Sequence, residues 1–208
     1  MNKKTLKRIW HFLWHEDSAL SWIANLIIAV ILVKFVIFPV LGFLLSTTHP
    51  VVAIVSSSMD HDLVDGIICG VQDSNYESSL DNFWKTCGKF YENLGITKES
   101  FQNYDFKDGF EKGDIMFLKG MKPDQIKVGD VIVFQGNRVP IIHRVVVINE
   151  KDGKRIFTTK GDHNEGIIPA IGELEIAEDK IIGKATFSIP YLGYIKILAD
   201  KIKTSIVG

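Results

Sequence analysis

The chain lacks a charge excess of either sign: among 208 residues, 24 Lys and Arg stand against 25 Asp and Glu, a formal net charge of −1. A nucleic-acid binder normally carries a strong basic surplus, so that class is excluded. Also missing are a phosphate-cradling Gly-rich loop, an HExxH helix, a GxSxG elbow, internal repeats and low-complexity tracts. Only two cysteines occur, and no His/Cys cluster near them offers four zinc-type ligands. No metal or diffusible cofactor is expected.

What is abundant is apolar sequence, and it is unevenly spread. Trp22 to Leu45 reads "WIANLIIAVILVKFVIFPVLGFLL", 24 residues with one charge. As a helix this run is roughly 36 Å long, enough to cross a hydrocarbon core of about 30 Å. It exceeds the apolar core of a cleavable leader, and no small-x-small cleavage site follows it closely. A membrane span over 18–47 accounts for it better than a buried helix of a soluble protein. Lys34, near the middle, costs about 2.5–3.5 kcal/mol on insertion scales, which the surrounding Ile, Val, Leu and Phe offset. Pro39 removes a backbone hydrogen bond and kinks the last turns. The basic cluster Lys3, Lys4, Lys7 and Arg8 places the N-terminus on the cytoplasmic side of a single-pass protein. Residues 1–17 form an amphipathic leader, with Leu6, Trp10 and Leu13 on one side, expected to rest on the inner membrane surface.

Past His49-Pro50 the pattern becomes strand-like. Candidate strands are 51–56, 114–119, 130–135, 140–148, 155–160 and 180–189, separated by turn signals such as Lys151-Asp152-Gly153. Short strands without βαβ alternation predict a mainly β chain: an antiparallel β domain over 48–190, anchored by the N-terminal span. Residues 60–112 interrupt it as a polar, aromatic insertion with helical character. Both cysteines, Cys69 and Cys87, fall inside it. Outside the membrane they are expected to pair, worth about 3 kcal/mol of loop closure; two free thiols or half a metal site are the alternatives. Residues 191–208 have apolar positions at helical spacing, interrupted by Lys196, Asp200, Lys201 and Lys203. They predict a surface or interfacial helix.

The stretch "VVAIVSSSMDHDLVD" at 51–65 ends a strand in three serines. A serine hydroxyl is a poor nucleophile until a base removes its proton and donors hold the oxyanion that follows. Among the bases, His49 lies at the membrane exit, His61 in the loop after the serines and His163 after a Gly-Asp turn. His143 sits inside the apolar strand "VPIIHRVVVI", where it is held rigidly; a core histidine bonded to a carbonyl is the plainer alternative. Asp162, in the turn of "TTKGDHNEG", supplies a carboxylate to fix the tautomer of such a base, although alone it reads as a turn residue.

Together these pieces resemble the type I signal peptidases, in the archaeal and endoplasmic-reticulum branch that uses histidine where bacterial relatives use lysine. "VSSSM" at 55–59 is similar to the family's S-x-S-M box and maps the nucleophile to Ser58. "KGDIMFLKG" with "VGDVIVF" resembles the Gly-Asp strands, "IIHRVV" the histidine box and "TTKGDHN" the Gly-Asp-Asn-Asn box. The resemblance implies a membrane-bound serine endopeptidase that removes N-terminal signal peptides from exported preproteins, cutting after small residues. Ser58 is then the nucleophile, His143 the base and Asp162 its orienting acid. The Ser58 N–H and Ser56 hydroxyl hold the oxyanion, Met59 packs beside the nucleophile, and the Val51–Val55 strand pairs with extended substrate. Implied partners are signal peptides, the lipid bilayer of a cell or endoplasmic-reticulum membrane, and translocon or other subunits. The chain departs from the pattern at Ser57 (usually glycine), at Met59-Asp60-His61 (usually Met-Glu-Pro), and at Ile168, where a second aspartate is common and for which Glu165 is a candidate substitute. The insertion has no counterpart in shorter members.

Two other functions compete with this one. An inactive anchored β module that binds extended peptides or scaffolds a translocation complex is favoured by the absent second aspartate, but not by retention of Ser58, His143 and Asp162. A self-cleaving regulator with a Ser/Lys dyad needs a lysine at position 143 and is rejected.

Overall fold

The computed structural model describes residues 2–194. The chain divides into two compact units, Met1–Leu44 and the residues from Leu45 onward, and each is described by itself.

In the first unit, α1 (Lys3–His15) begins where the Asn2 side chain accepts from Lys4 N–H at 3.3 Å. Helix α2 (Ala19–Leu32) starts at Ser18, whose hydroxyl accepts from Ser21 N–H at 3.2 Å, the usual repair for orphan donors at a helix start. The carbonyls that α1 leaves unpaired at its end are taken by α2 side chains: Ser21 Oγ donates to Phe12 O at 2.7 Å and Asn25 Nδ2 to Leu13 O at 2.8 Å. A π-helical turn, Val33–Ile37, separates α2 from α3 (Phe38–Leu44). Pro39 explains it: proline has no N–H and its ring crowds the carbonyl four residues back. The helix widens instead, with Phe38 N–H reaching Val33 O. The continuous segment Ala19–Leu44, 26 residues, is long and apolar enough to cross a membrane.

The second unit is built on a seven-stranded antiparallel sheet in the order β1-β4-β9-β5-β6-β7-β8. Its strands are β1 (Val51–Ala53), β4 (Ile115–Lys119), β5 (Val131–Gln135), β6 (Pro140–Lys151), β7 (Lys154–Lys160), β8 (Ile176–Ala177) and β9 (Ile181–Ile189). The central strand β5 shows why the sheet holds. Successive side chains leave opposite faces, and here both faces are covered. Val131 and Val133 join Ile54, Met59, Met116 and Leu118 on one side, while Ile132 and Phe134 join Val145, Phe157 and Ile176 on the other. Each such buried side chain contributes about 1.5–3 kcal/mol. The mainly antiparallel β architecture matches the expectation from strand patterning. Strand β1 is shorter than expected: it ends at Ala53, Ile54 still bonds through its backbone to Asp114 and Gly113, and the chain turns away from Val55 onward.

The 60–112 stretch forms a small hairpin, β2 (Ile67–Ile68) with β3 (Val71–Gln72), and two helices, α4 (Leu80–Glu92) and α5 (Lys98–Phe101). Helix α4 starts on the Ser79 hydroxyl and buries Phe83, Trp84, Cys87, Gly88 and Tyr91. That spacing is one helical stripe, and it packs with Ile68, Ile96, Phe101 and Val146. Cys69 and Cys87 are disulfide-bonded. The expected C-terminal helix over 191–208 lies outside the described residues from 195 onward.

Candidate active site

Chain segments distant in sequence meet around Ser58. Strand β6 carries His143, 2 % exposed, and its Nε2 lies 2.8 Å from Ser58 Oγ. On the opposite edge of the ring, His143 Nδ1 is hydrogen-bonded to Glu173 Oε1. Glu173 is fully buried and its other oxygen accepts from Ile168 N–H. The carboxylate fixes the tautomer: Nδ1 carries the hydrogen and Nε2 presents its lone pair to the hydroxyl. Ser56 Oγ lies 3.2 Å from Ser58 Oγ. A half-buried serine, an imidazole and a buried carboxylate thus form one hydrogen-bonded chain.

The expectation that Asp162 orients His143 is not met. Asp162, fully buried, accepts from Arg144 Nε at 3.0 and 3.1 Å and from Arg144 Nη2 at 2.7 Å. It also accepts from Tyr91 Oη at 2.8 Å and His61 Nε2 at 3.0 Å. The reason lies in strand geometry. His143 and Arg144 are successive residues of β6, so their side chains leave opposite faces, and Asp162 sits with the arginine. Burial alone would raise its carboxyl, but the Arg144 charge and hydrogen bonds from His61 and Arg144 more than offset this. They hold it well below the usual carboxylate range.

Of the other expected site residues, Met59 is buried in the core beside the serine, and its Sδ accepts from Asp162 N–H at 3.4 Å. Val55 is 59 % exposed. It borders a largely apolar cavity of about 620 Å³ that Ser58 and His143 line with Val52, Ala53, Ile142 and Ile168. His49 also lines this cavity, whereas His61 stacks on Phe83 at 3.7 Å between ring centroids. Glu165, the candidate substitute for a second acid, packs instead against Gly70.

Glu173 was missed. The sequence offers little to find it: it follows a 3-10 turn, Pro169–Ile171, and Gly172 in the left-handed region at φ 92°. That turn carries the carboxylate back over His143 from five residues beyond Ile168.

No family model matches the chain. Curated relatives do. The chain is 36 % identical over 98 residues to "Signal peptidase complex catalytic subunit SEC11C" of Homo sapiens, covering 44 % of this chain and 50 % of that protein. It is 38 % identical over 107 residues to "Signal peptidase complex catalytic subunit SEC11" of Lachancea thermotolerans, 48 % and 63 % respectively. To the protein of that name from Scheffersomyces stipitis it is 34 % identical over 100 residues, 43 % and 57 %. The chain spans about half the length of the curated relatives it matches.

Proposed function

We propose that this chain, homologous over about half its length to signal peptidase catalytic subunits, is a membrane-anchored serine endopeptidase that removes signal peptides from exported preproteins. The observation that carries this reading is the Ser58–His143–Glu173 path. His143 Nε2 takes the Ser58 proton as Oγ attacks the scissile carbonyl, then passes it to the leaving amine. Glu173 holds the ring and stabilises the imidazolium. The acyl-enzyme is released by water activated on the same imidazole. The Ser58 N–H and Ser56 hydroxyl stabilise the oxyanion, a role supported by the 3.2 Å separation of the two serine oxygens.

Substrate binds as an added strand. Strand β1 is the edge of the seven-stranded sheet and lines the cavity with Val51, Val52 and Ala53, so an extended peptide can pair there with small side chains turned into the apolar space. The apolar helix anchors the chain in a cell or endoplasmic-reticulum membrane with its basic leader in the cytoplasm and the β domain outside. The names of the relatives support further subunits as partners.

The test is cleavage of a preprotein bearing an Ala-x-Ala site by the purified chain in detergent. Wild type is expected to cut at that site, and Ser58→Ala and His143→Ala are not. Cutting that persists in Ser58→Ala overturns the mechanism. A folded wild type that binds such peptides without cutting them supports the peptide-binding module instead.

A further inference from the structure

The 60–112 insertion touches the site at several adjacent points, and its disulfide ties the principal ones together. Cys69 N–H donates to His163 O at 2.9 Å, and His163 N–H donates to Ser58 O at 2.9 Å. Two backbone hydrogen bonds therefore connect one half of the disulfide to the carbonyl of the serine itself. The other half, Cys87, lies on α4 one turn before Tyr91, whose hydroxyl donates to Asp162 Oδ1 at 2.8 Å. Asp162 and His163 are neighbours in the turn after β7. One covalent bridge thus fixes the donor to the backbone of that turn and the donor to its buried side chain.

The turn is where looseness would matter. A β-carbon placed on Gly161 would lie 2.7 Å from His143 Nε2 and 2.7 Å from Ser58 O. The turn therefore abuts both the base and the nucleophile, and any displacement of it moves Ser58 against His143. Arg144, next to the base, adds a further link, donating to Asp105 O at 2.9 Å and Phe106 O at 2.7 Å, both in the insertion.

We propose that the insertion is a positioning element for peptide cleavage, with Tyr91 its working contact and the Cys69–Cys87 bridge its lock. The proposal rests on the Ser58–His143 reading above. Tyr91 does not touch the reacting atoms. It acts through Asp162 on the 161–164 turn, and the turn seats Ser58. Misplacement of reacting groups by 1 Å can cost about a hundredfold in rate, and loss of one tether among several is expected to cost less.

The experiment compares four full-length proteins on the same preprotein: wild type, Tyr91→Phe, Cys69→Ala/Cys87→Ala, and the triple variant. Tyr91→Phe keeps the buried ring and removes only the hydroxyl. It is expected to lower kcat by about tenfold with KM within about twofold of wild type, at an assay temperature well below its measured Tm. The cysteine pair is expected to lose at least as much. The triple variant is expected to lose no more than the cysteine pair, because without the bridge Tyr91 is no longer held on Asp162 and its hydroxyl has little left to contribute. A Tyr91→Phe protein with wild-type kcat overturns the proposal, and so does a triple variant whose losses multiply. If the cysteine pair does not fold, the Tyr91→Phe result decides alone. A wild type that fails to cut overturns the endopeptidase reading and this one with it, whereas full cutting by Tyr91→Phe removes only the positioning role.

Discussion

His143 and Arg144 are neighbours on one strand and serve different carboxylates: His143 Nδ1 pairs with Glu173 and Arg144 Nη2 with Asp162, the latter at 2.7 Å. The two acids are both fully buried and have separable consequences.

Glu173→Gln keeps an oxygen for Ile168 N–H but can turn an amide N–H toward His143 Nδ1. In the proposed mechanism that forces the wrong tautomer and removes the charge that would stabilise the imidazolium. By analogy with the aspartate-to-asparagine change in serine-protease triads, a fall in kcat on the order of 10³–10⁴ is expected. Steady-state cleavage of the preprotein measures it, and near-normal kcat would place the orienting acid elsewhere.

Asp162→Asn should act first on stability. It strips the buried Arg144 of its counter-charge, a change that typically costs about 3–5 kcal/mol. A thermal or denaturant melt at neutral pH would register this. The same carboxyl sets an acid limit. Its folded pKa lies below the unfolded value of 3.8, so the folded state binds fewer protons there. Its contribution is present above about pH 4 and is lost as the pH falls further. The gap between acid melts of wild type and Asp162→Asn should narrow progressively as the pH falls below that point; a constant gap would contradict the pairing.

Lys160 is buried, donating to Gly161 O at 3.0 Å and Asp162 O at 3.1 Å. Burial lowers its ammonium from 10.5 to about 8, against the pull of Asp162 and Glu173. Between those values the unfolded chain binds more protons than the folded one, so stability gains a rising contribution from about pH 8 to about pH 10.5. Denaturant melts across that range should show this contribution in wild type and not in Lys160→Met. Identical slopes would mean the lysine titrates normally.

Gly161→Ala adds one methyl group between His143 Nε2 and Ser58 O, where 2.7 Å is available on either side. Backbone on one side cannot yield cheaply, so the imidazole is expected to move off the hydroxyl. The expectation is a loss of cleavage of at least about a hundredfold with the folded β signature retained in circular dichroism. Wild-type cleavage by this variant would show that the turn at Gly161 does not press on His143 and Ser58 as closely as 2.7 Å in solution.

Local pattern reveals much of this molecule. Consecutive apolar residues mark β4, β5 and the first part of β6, because a strand between two cores must present apolar side chains on both faces. The uninterrupted run around Lys34 marks the long apolar helix because nothing else tolerates so little charge. Ser58 and His143 stand out because a polar residue at the end of, or within, such a strand needs a reason to be there. Glu173 does not stand out, being one acid among several in a loop-rich stretch.

Composition and periodicity therefore determined which segments become helix or strand and which polar residues interrupt them, since these depend on neighbours in the chain. Only the tertiary structure decided which carboxylate faces the histidine and what the disulfide-bonded insertion holds. Side chains on successive strand positions point apart, so a one-residue difference sends Arg144 to Asp162 and leaves His143 to an acid 30 residues away. Such pairing is settled by how the turns after β7 fold back over the sheet, which no local pattern records.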